Sequence, residues 1–323
     1  MKMSSINFAF FGTSELSVKV LDILMKNGYT PEIVITAPDK PKGRKMILTP
    51  PPVKVFAQVN NLKIAQPASL STYHSFEPEG SQSLNGLPPR LIGGQATAPL
   101  HRRAGYDLLI VASYGKIIPK SILEIPKFGT LNIHPSLLPK FRGPSPIQSF
   151  IMSGEEETGV TIMLMDEQVD HGKILSRKEF EARSTKHEIR DKSEIRNPKL
   201  NAKELEEKLA EIGGQMLVEI IPKWINGEIK AQEQDHSQAT FTKKIIKEDG
   251  LVDLEKDTPE IIYKKFLAFH TWPGIHYFTE KNGKKIRVII TDMELSQGGE
   301  LKINKVKPEG KKEMKYGDFL KQF

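Results

Sequence analysis

Residues 6–11 (Ile-Asn-Phe-Ala-Phe-Phe) and 33–36 (Ile-Val-Ile-Thr) are almost wholly apolar, while the residues between them follow another period. Leu16, Val20, Leu21 and Leu24 recur at helical spacing behind Gly12-Thr13-Ser14, with Ser14 placed to cap the helix. A strand apolar on both faces must be covered on both, and a strand–helix–strand order returns the second strand parallel to the first. The chain therefore begins as an α/β fold, a doubly wound parallel sheet. Residues 107–112, 130–134 and 160–165 read as further strands of it. One glycine at the first turn is not the spaced glycine triplet of a dinucleotide site.

The strand at 130–134 (Thr-Leu-Asn-Ile-His) carries polar side chains that no core needs. Asn132 and His134 are two apart, so an extended chain turns both to one side, with Leu131 and Ile133 turned to the core. Pro135 and Pro139 close the strand and leave His134 at its carboxyl end, where open α/β sheets bind ligands. Asp170 follows 38 residues after Asn132, in Met-Asp-Glu-Gln-Val-Asp-His-Gly. An amide, an imidazole and a carboxylate suit acyl transfer through a tetrahedral intermediate. Asn132 can donate to an oxyanion, and His134 can donate or carry a proton. Asp170 can orient or charge the imidazole and take the nucleophile's proton.

An isolated Asn-x-His is a weak signal; the block around it is not. Residues 129–148 read Gly-Thr-Leu-Asn-Ile-His-Pro-Ser-Leu-Leu-Pro-Lys-Phe-Arg-Gly-Pro-Ser-Pro-Ile-Gln, and 157–172 read Glu-Thr-Gly-Val-Thr-Ile-Met-Leu-Met-Asp-Glu-Gln-Val-Asp-His-Gly. Together they resemble the folate-dependent formyltransferases, in particular the methionyl-tRNA formyltransferase family. The resemblance implies a Rossmann-like catalytic domain at 1–228, a linker at 229–240 and a small OB-like β-barrel at 241–323 that binds tRNA. It implies that Asn132, His134 and Asp170 are the catalytic trio and that 10-formyltetrahydrofolate is the formyl donor. Ser136, Leu137, Leu138 and Pro139, with Val111, Tyr114, Gly115 and Asp166, would line the folate site. The basic, turn-rich segment at 38–45 would reach the acceptor end of initiator methionyl-tRNA, with Lys42, Arg44 and Lys45 near phosphates.

Composition bounds the alternatives. Absence of cysteine removes disulfide and thiolate chemistry and favours a cytoplasmic setting. The eight histidines show no paired ligand spacing, so no metal is expected. No apolar run approaches the ~20 residues that span a bilayer, and the N-terminus does not read as a signal peptide. A monomer is expected. Residues 236–323 hold 17 Lys and Arg against 13 Asp and Glu, +4 of the chain's net +7. That fits an RNA partner but equally a solvated lysine surface.

The C-terminal segment changes period. Short strands at 277–278, 286–290 and 301–303 are separated by the hairpin signals Lys-Asn-Gly-Lys at 281–284 and Gln-Gly-Gly at 297–299, after a helix over 259–269. Residues 71–105 are expected to be irregular, since 75–105 alone hold five Gly and four Pro, and 181–201 reads as a charged surface insertion. Two rival functions stand. One is the same chemistry on an amino-sugar nucleotide or another small amine. The other is an inactive RNA-binding protein on this scaffold.

Overall fold

The computed structural model describes residues 6–43, 45–70, 106–181, 200–296 and 298–322. The irregular segment expected at 71–105, nearly all of the insertion expected at 181–201, and Arg44 lie outside these residues. The chain clusters into two units. One comprises Met1–Arg142, Gly159–Lys178 and Glu207–Thr240; the other comprises Gly143–Thr158, Glu179–Glu206 and Phe241–Phe323.

The first unit is built on a seven-stranded sheet. Its strands are β1 (Phe8–Gly12), β2 (Ile33–Ile35), β5 (Ile64–Ala65), β6 (Leu108–Ala112), β7 (Thr130–His134), β8 (Glu157–Leu164) and β9 (Ile174–Glu181), in the order β5-β2-β1-β6-β7-β8-β9. Pairing is parallel from β5 to β7. It reverses at β8, which runs antiparallel to β7 with His134 opposite Thr161 and Leu131 opposite Leu164. The sheet is thus mixed rather than wholly parallel.

Helix α1 (Glu15–Lys26) follows β1 with Ser14 as its N-cap residue, as its spacing predicts, and buries Leu16, Val20, Leu21 and Leu24. Ser17 Oγ accepts from the backbone N–H of Thr13 and Ser14, and donates to Ala112 O at 2.5 Å. The turn after β1 is thereby fastened to the end of β6, where the strand order switches direction. On one sheet face Ala9, Phe11, Ile33, Ile35, Leu109 and Val111 form a core with Tyr114, Ile118, Ile122 and Leu123 from the segment that includes the short α3 (Lys120–Leu123). The other face meets α5 (Ala202–Ile225). Gly213 lets this helix approach so closely that a Cβ there would lie 2.6 Å from Ile133 Cγ2. A small separate ribbon, β3 (Lys40–Lys42) with β4 (Ile47–Thr49), precedes α2 (Pro52–Val59).

In the second unit, α4 (Pro146–Ser153) packs on α6 (Pro259–Ala268). Thr258 Oγ1 caps α6 by accepting from Ile261 N. Strands β10 (His276–Lys281), β11 (Lys284–Leu295), β12 (Leu301–Pro308) and β13 (Met314–Lys315) pair in series as an antiparallel sheet, ending in α7 (Tyr316–Leu320). No ladder joins β13 back to β10 among the described residues, so where an OB-like barrel was expected the structure shows a four-stranded antiparallel sheet. The β10–β11 turn places Asn282 and Gly283 at φ 53° and 70°, the two left-handed residues that an Asn-Gly hairpin supplies. His276 is enclosed beside Arg287, 3.3 Å away, and burial together with that guanidinium lowers its pKa. Among the described residues no helix is long and apolar enough to cross a membrane.

Candidate active site

β7 presents Asn132 and His134 on the sheet face opposite α5, both buried. The antiparallel turn of β8 sends residues 165–172 back over that face, and Asp170 descends onto the pair. Asn132 Nδ2 lies 3.4 Å from Asp170 Oδ1, and His134 Nδ1 lies 3.6 Å from the same oxygen. The expected trio therefore converges on a single carboxylate oxygen. Both separations are longer than a tight hydrogen bond.

The other imidazole nitrogen is committed. His134 Nε2 lies 2.9 Å from Phe141 O, and a carbonyl can only accept, so Nε2 carries a proton. Nδ1 is then the nitrogen that faces the chemistry. Phe141 holds φ 59° and Asp170 φ 49°, both in the left-handed region that L-residues seldom enter. Such conformations survive where surrounding contacts determine them, and they gather at functional sites.

Those contacts come from residues that sequence reasoning did not single out. Gln234, buried in the polar stretch after α5, donates from Nε2 to Asp170 O (3.0 Å) and Gly172 O (2.7 Å). Its Oε1 accepts from Arg142 Nη2 (2.6 Å) and Nε (3.2 Å). Arg142 is 3% exposed; burial lowers its pKa, opposed by the Asp170 and Asp166 carboxylates. Its Nη2 also reaches His236 Nδ1 at 2.9 Å. His236 stacks on His171 at 4.1 Å, and His171 Nδ1 meets Asp166 Oδ2 at 2.7 Å. The sequence signal available for Arg142 was its place just after Ser-Leu-Leu-Pro. Gln234 had none.

The residues expected to line a folate site fall in different settings, although the clusters that hold Val111 and Tyr114, and Leu138, both pack against Met165. Asp166 borders a cavity of about 350 Å³, with Lys120, Leu123, Glu124, Met165, Glu167 and Gln168. Lys120 spans that mouth to Glu167 at 2.6 Å. Val111 and Tyr114 are core residues; Tyr114 packs edge-on against Phe11 at 5.3 Å. Gly115, at φ 75°, turns the chain after β6, and Tyr114 O accepts from Thr13 Oγ1.

The Ser136–Leu137–Leu138–Pro139 turn uses its polar groups internally. Ser136 N donates to His134 O, Ser136 Oγ to Lys140 O, and Thr161 Oγ1 to Ser136 O while accepting from Leu138 N. Leu138 and Pro139 are buried, and Leu137 is half-buried. The turn thus shapes the end of β7. Its Ser136 and Leu138 N–H groups already have partners within the protein. Lys42 and Lys45 are exposed on and beside the β3–β4 ribbon, next to the equally exposed Met46, Ile47 and Leu48. Among the described residues no group of His, Cys, Asp and Glu is arranged to hold a metal.

A family model described as formyl transferase matches residues 6–221. The methionyl-tRNA formyltransferase of Chloroflexus aggregans is 37% identical over 281 residues, 87% of this chain and 78% of that protein. Among solved structures, methionyl-tRNA formyltransferase from Clostridium thermocellum superposes with a TM-score of 0.53 at 14% identity, over 94% of this chain and 98% of that one. HypX from Aquifex aeolicus, in complex with tetrahydrofolic acid, gives a TM-score of 0.61 at 16% identity over 98% of this chain and 47% of its own. The structural likenesses establish the shared fold. The sequence identity and the matched domain place the chain in the methionyl-tRNA formyltransferase family.

Proposed function

We propose that the protein transfers the formyl group of 10-formyltetrahydrofolate to the α-amine of methionine carried by initiator tRNA. The observation that carries this reading is the convergence of Asn132 and His134 on Asp170 Oδ1. The neutral amine attacks the formyl carbon, the carbonyl oxygen gains charge, and the nitrogen becomes ammonium-like. Asn132 Nδ2 and a proton on His134 Nδ1 meet the oxyanion; Asp170 takes the amine's proton, directly or through water. The C–N10 bond then breaks, N10 of the folate gains a proton, and the formyl group remains as an amide.

The folate is assigned to the cavity beside Asp166, where Leu123 and Met165 supply apolar wall. The carboxylates of Asp166, Glu124 and Glu167 can accept from the amino edge of a pterin. This is the chemistry expected at a site with apolar walls and a few polar anchors. The Lys42–Lys45 region and the lysine-bearing C-terminal sheet are assigned to the RNA, in keeping with the relatives' being methionyl-tRNA formyltransferases.

The purified protein, given 10-formyltetrahydrofolate, should formylate charged methionyl-tRNA at least ~100-fold faster than free methionine or an amino-sugar nucleotide, since only the tRNA can use remote binding energy to position the amine. Preference for the sugar would assign the alternative acceptor. Binding of tRNA without formyl transfer would assign the RNA-binding alternative.

A further inference from the structure

We propose that Gln234 is a positioning residue for Asp170, held in register by the guanidinium of Arg142. This deepens the reading above, since it rests on Asp170 as the proton acceptor. The three residues come from three separate parts of the chain, and their hydrogen bonds allow one arrangement only. A guanidinium only donates and a backbone carbonyl only accepts. Gln234 must therefore turn Oε1 to Arg142 and Nε2 to the carbonyls of Asp170 and Gly172, as observed. A glutamate of the same size would satisfy Arg142 but set an oxygen against two carbonyl oxygens.

The turn at 170–172 needs such a clamp. Asp170 has φ 49°, and a Cβ on Gly172 would run into Leu164 O. The span from Asp170 to Gly172 is drawn together by one amide that donates to both carbonyls. Asp170 Oδ1 is the point on which Asn132 and His134 converge. A displacement of about 1 Å at such a point costs on the order of 10²-fold in rate.

Arg142 ties down the other end of the same loop. It contacts His236, which stacks on His171, which in turn holds Asp166. The carbonyl oxygen of the neighbouring residue, Phe141, accepts a hydrogen bond from His134 Nε2–H. The dipeptide at 141–142 thus sets the imidazole through a carbonyl and the carboxylate through Gln234.

The test is steady-state formylation of methionyl-tRNA by the full chain carrying Gln234→Glu, Gln234→Leu, Asp170→Asn and the two double combinations, with thermal unfolding of each. Gln234→Glu keeps its Arg142 partner and so guards against simple misfolding of the leucine variant. We expect both single variants at position 234 to lower kcat by ~10–100-fold, with KM for either substrate within about threefold. In the Asp170→Asn background neither should lower the rate further, because both act through the same group. Losses that multiply in the doubles, or a lowered melting temperature with kcat unchanged, would overturn the positioning role. If Asp170→Asn is slow but Gln234→Glu turns over normally, this inference alone fails. If Asp170→Asn turns over normally, the reading of Asp170 beneath it fails.

Discussion

The two nitrogens of His134 have separate tasks. Nε2 is spent on Phe141 O, which fixes the ring, and Nδ1 is turned toward Asp170 and the space above β7. Asn132 is likewise aimed, since its amide can donate only from Nδ2. Removing one donor to a developing oxyanion typically costs ~10²–10³ in rate. Asn132→Ala, His134→Ala and Asp170→Ala should each lose about that much turnover while retaining affinity for tRNA; near-normal turnover in any of them would remove its assigned role. Asn132 and His134 were legible from a two-residue strand period and a proline stop, and Asp170 from the block at 157–172 that carries the resemblance. Gln234 was illegible because an amide in a polar stretch carries no period. Its task is set by carbonyls more than sixty residues away. For Tyr114 and Val111 the sequence left their surroundings open, because residues at a strand end read alike whether they face a ligand or a core; the structure buries both in the core.

At the level of elements, α5 shows how closely helix and sheet can approach. Glycine in a helix interior is worth about 1 kcal/mol less than alanine, so an alanine at 213 gains that much propensity. Against it stands a Cβ 2.6 Å from Ile133 Cγ2 and 3.3 Å from Val160 Cγ1. Both neighbours are β-branched and buried, so they cannot swing aside, and overpacking of this kind costs ~1–3 kcal/mol. Gly213→Ala should therefore lower the melting temperature by a few degrees, and an unchanged or raised value would show that the β7–α5 contact can relax. The sequence announced α5 through its apolar stripe and the β10–β11 hairpin through Asn-Gly. It did not announce the reversal at β8, because a buried apolar run has the same composition in either direction. That reversal is what carries Asp170 back over Asn132.

At the scale of the whole molecule, the proposed RNA partner makes charge the quantity to test. The net charge of +7 is modest, and more than half of it lies in residues 236–323. If phosphate contacts carry the affinity, log K for tRNA should fall linearly with log salt, each neutralised phosphate contributing about 0.7–0.9 to the slope. A filter-binding titration between about 50 and 200 mM salt reads this slope. A flat response would count against an RNA partner.

The β3–β4 ribbon adds something that charge does not. Its three-residue strands pair with each other and join neither larger sheet. Two-stranded ribbons alone are marginal in water. Its lysines can attract any nucleic acid, whereas the exposed Met46, Ile47 and Leu48 gain only from a surface that buries them. If the proposed tRNA acceptor meets this ribbon, a fitting one would bury these side chains and a poor one would leave them in water. Discrimination by this element would then appear in residence time, with encounter rates nearly alike for right and wrong tRNAs.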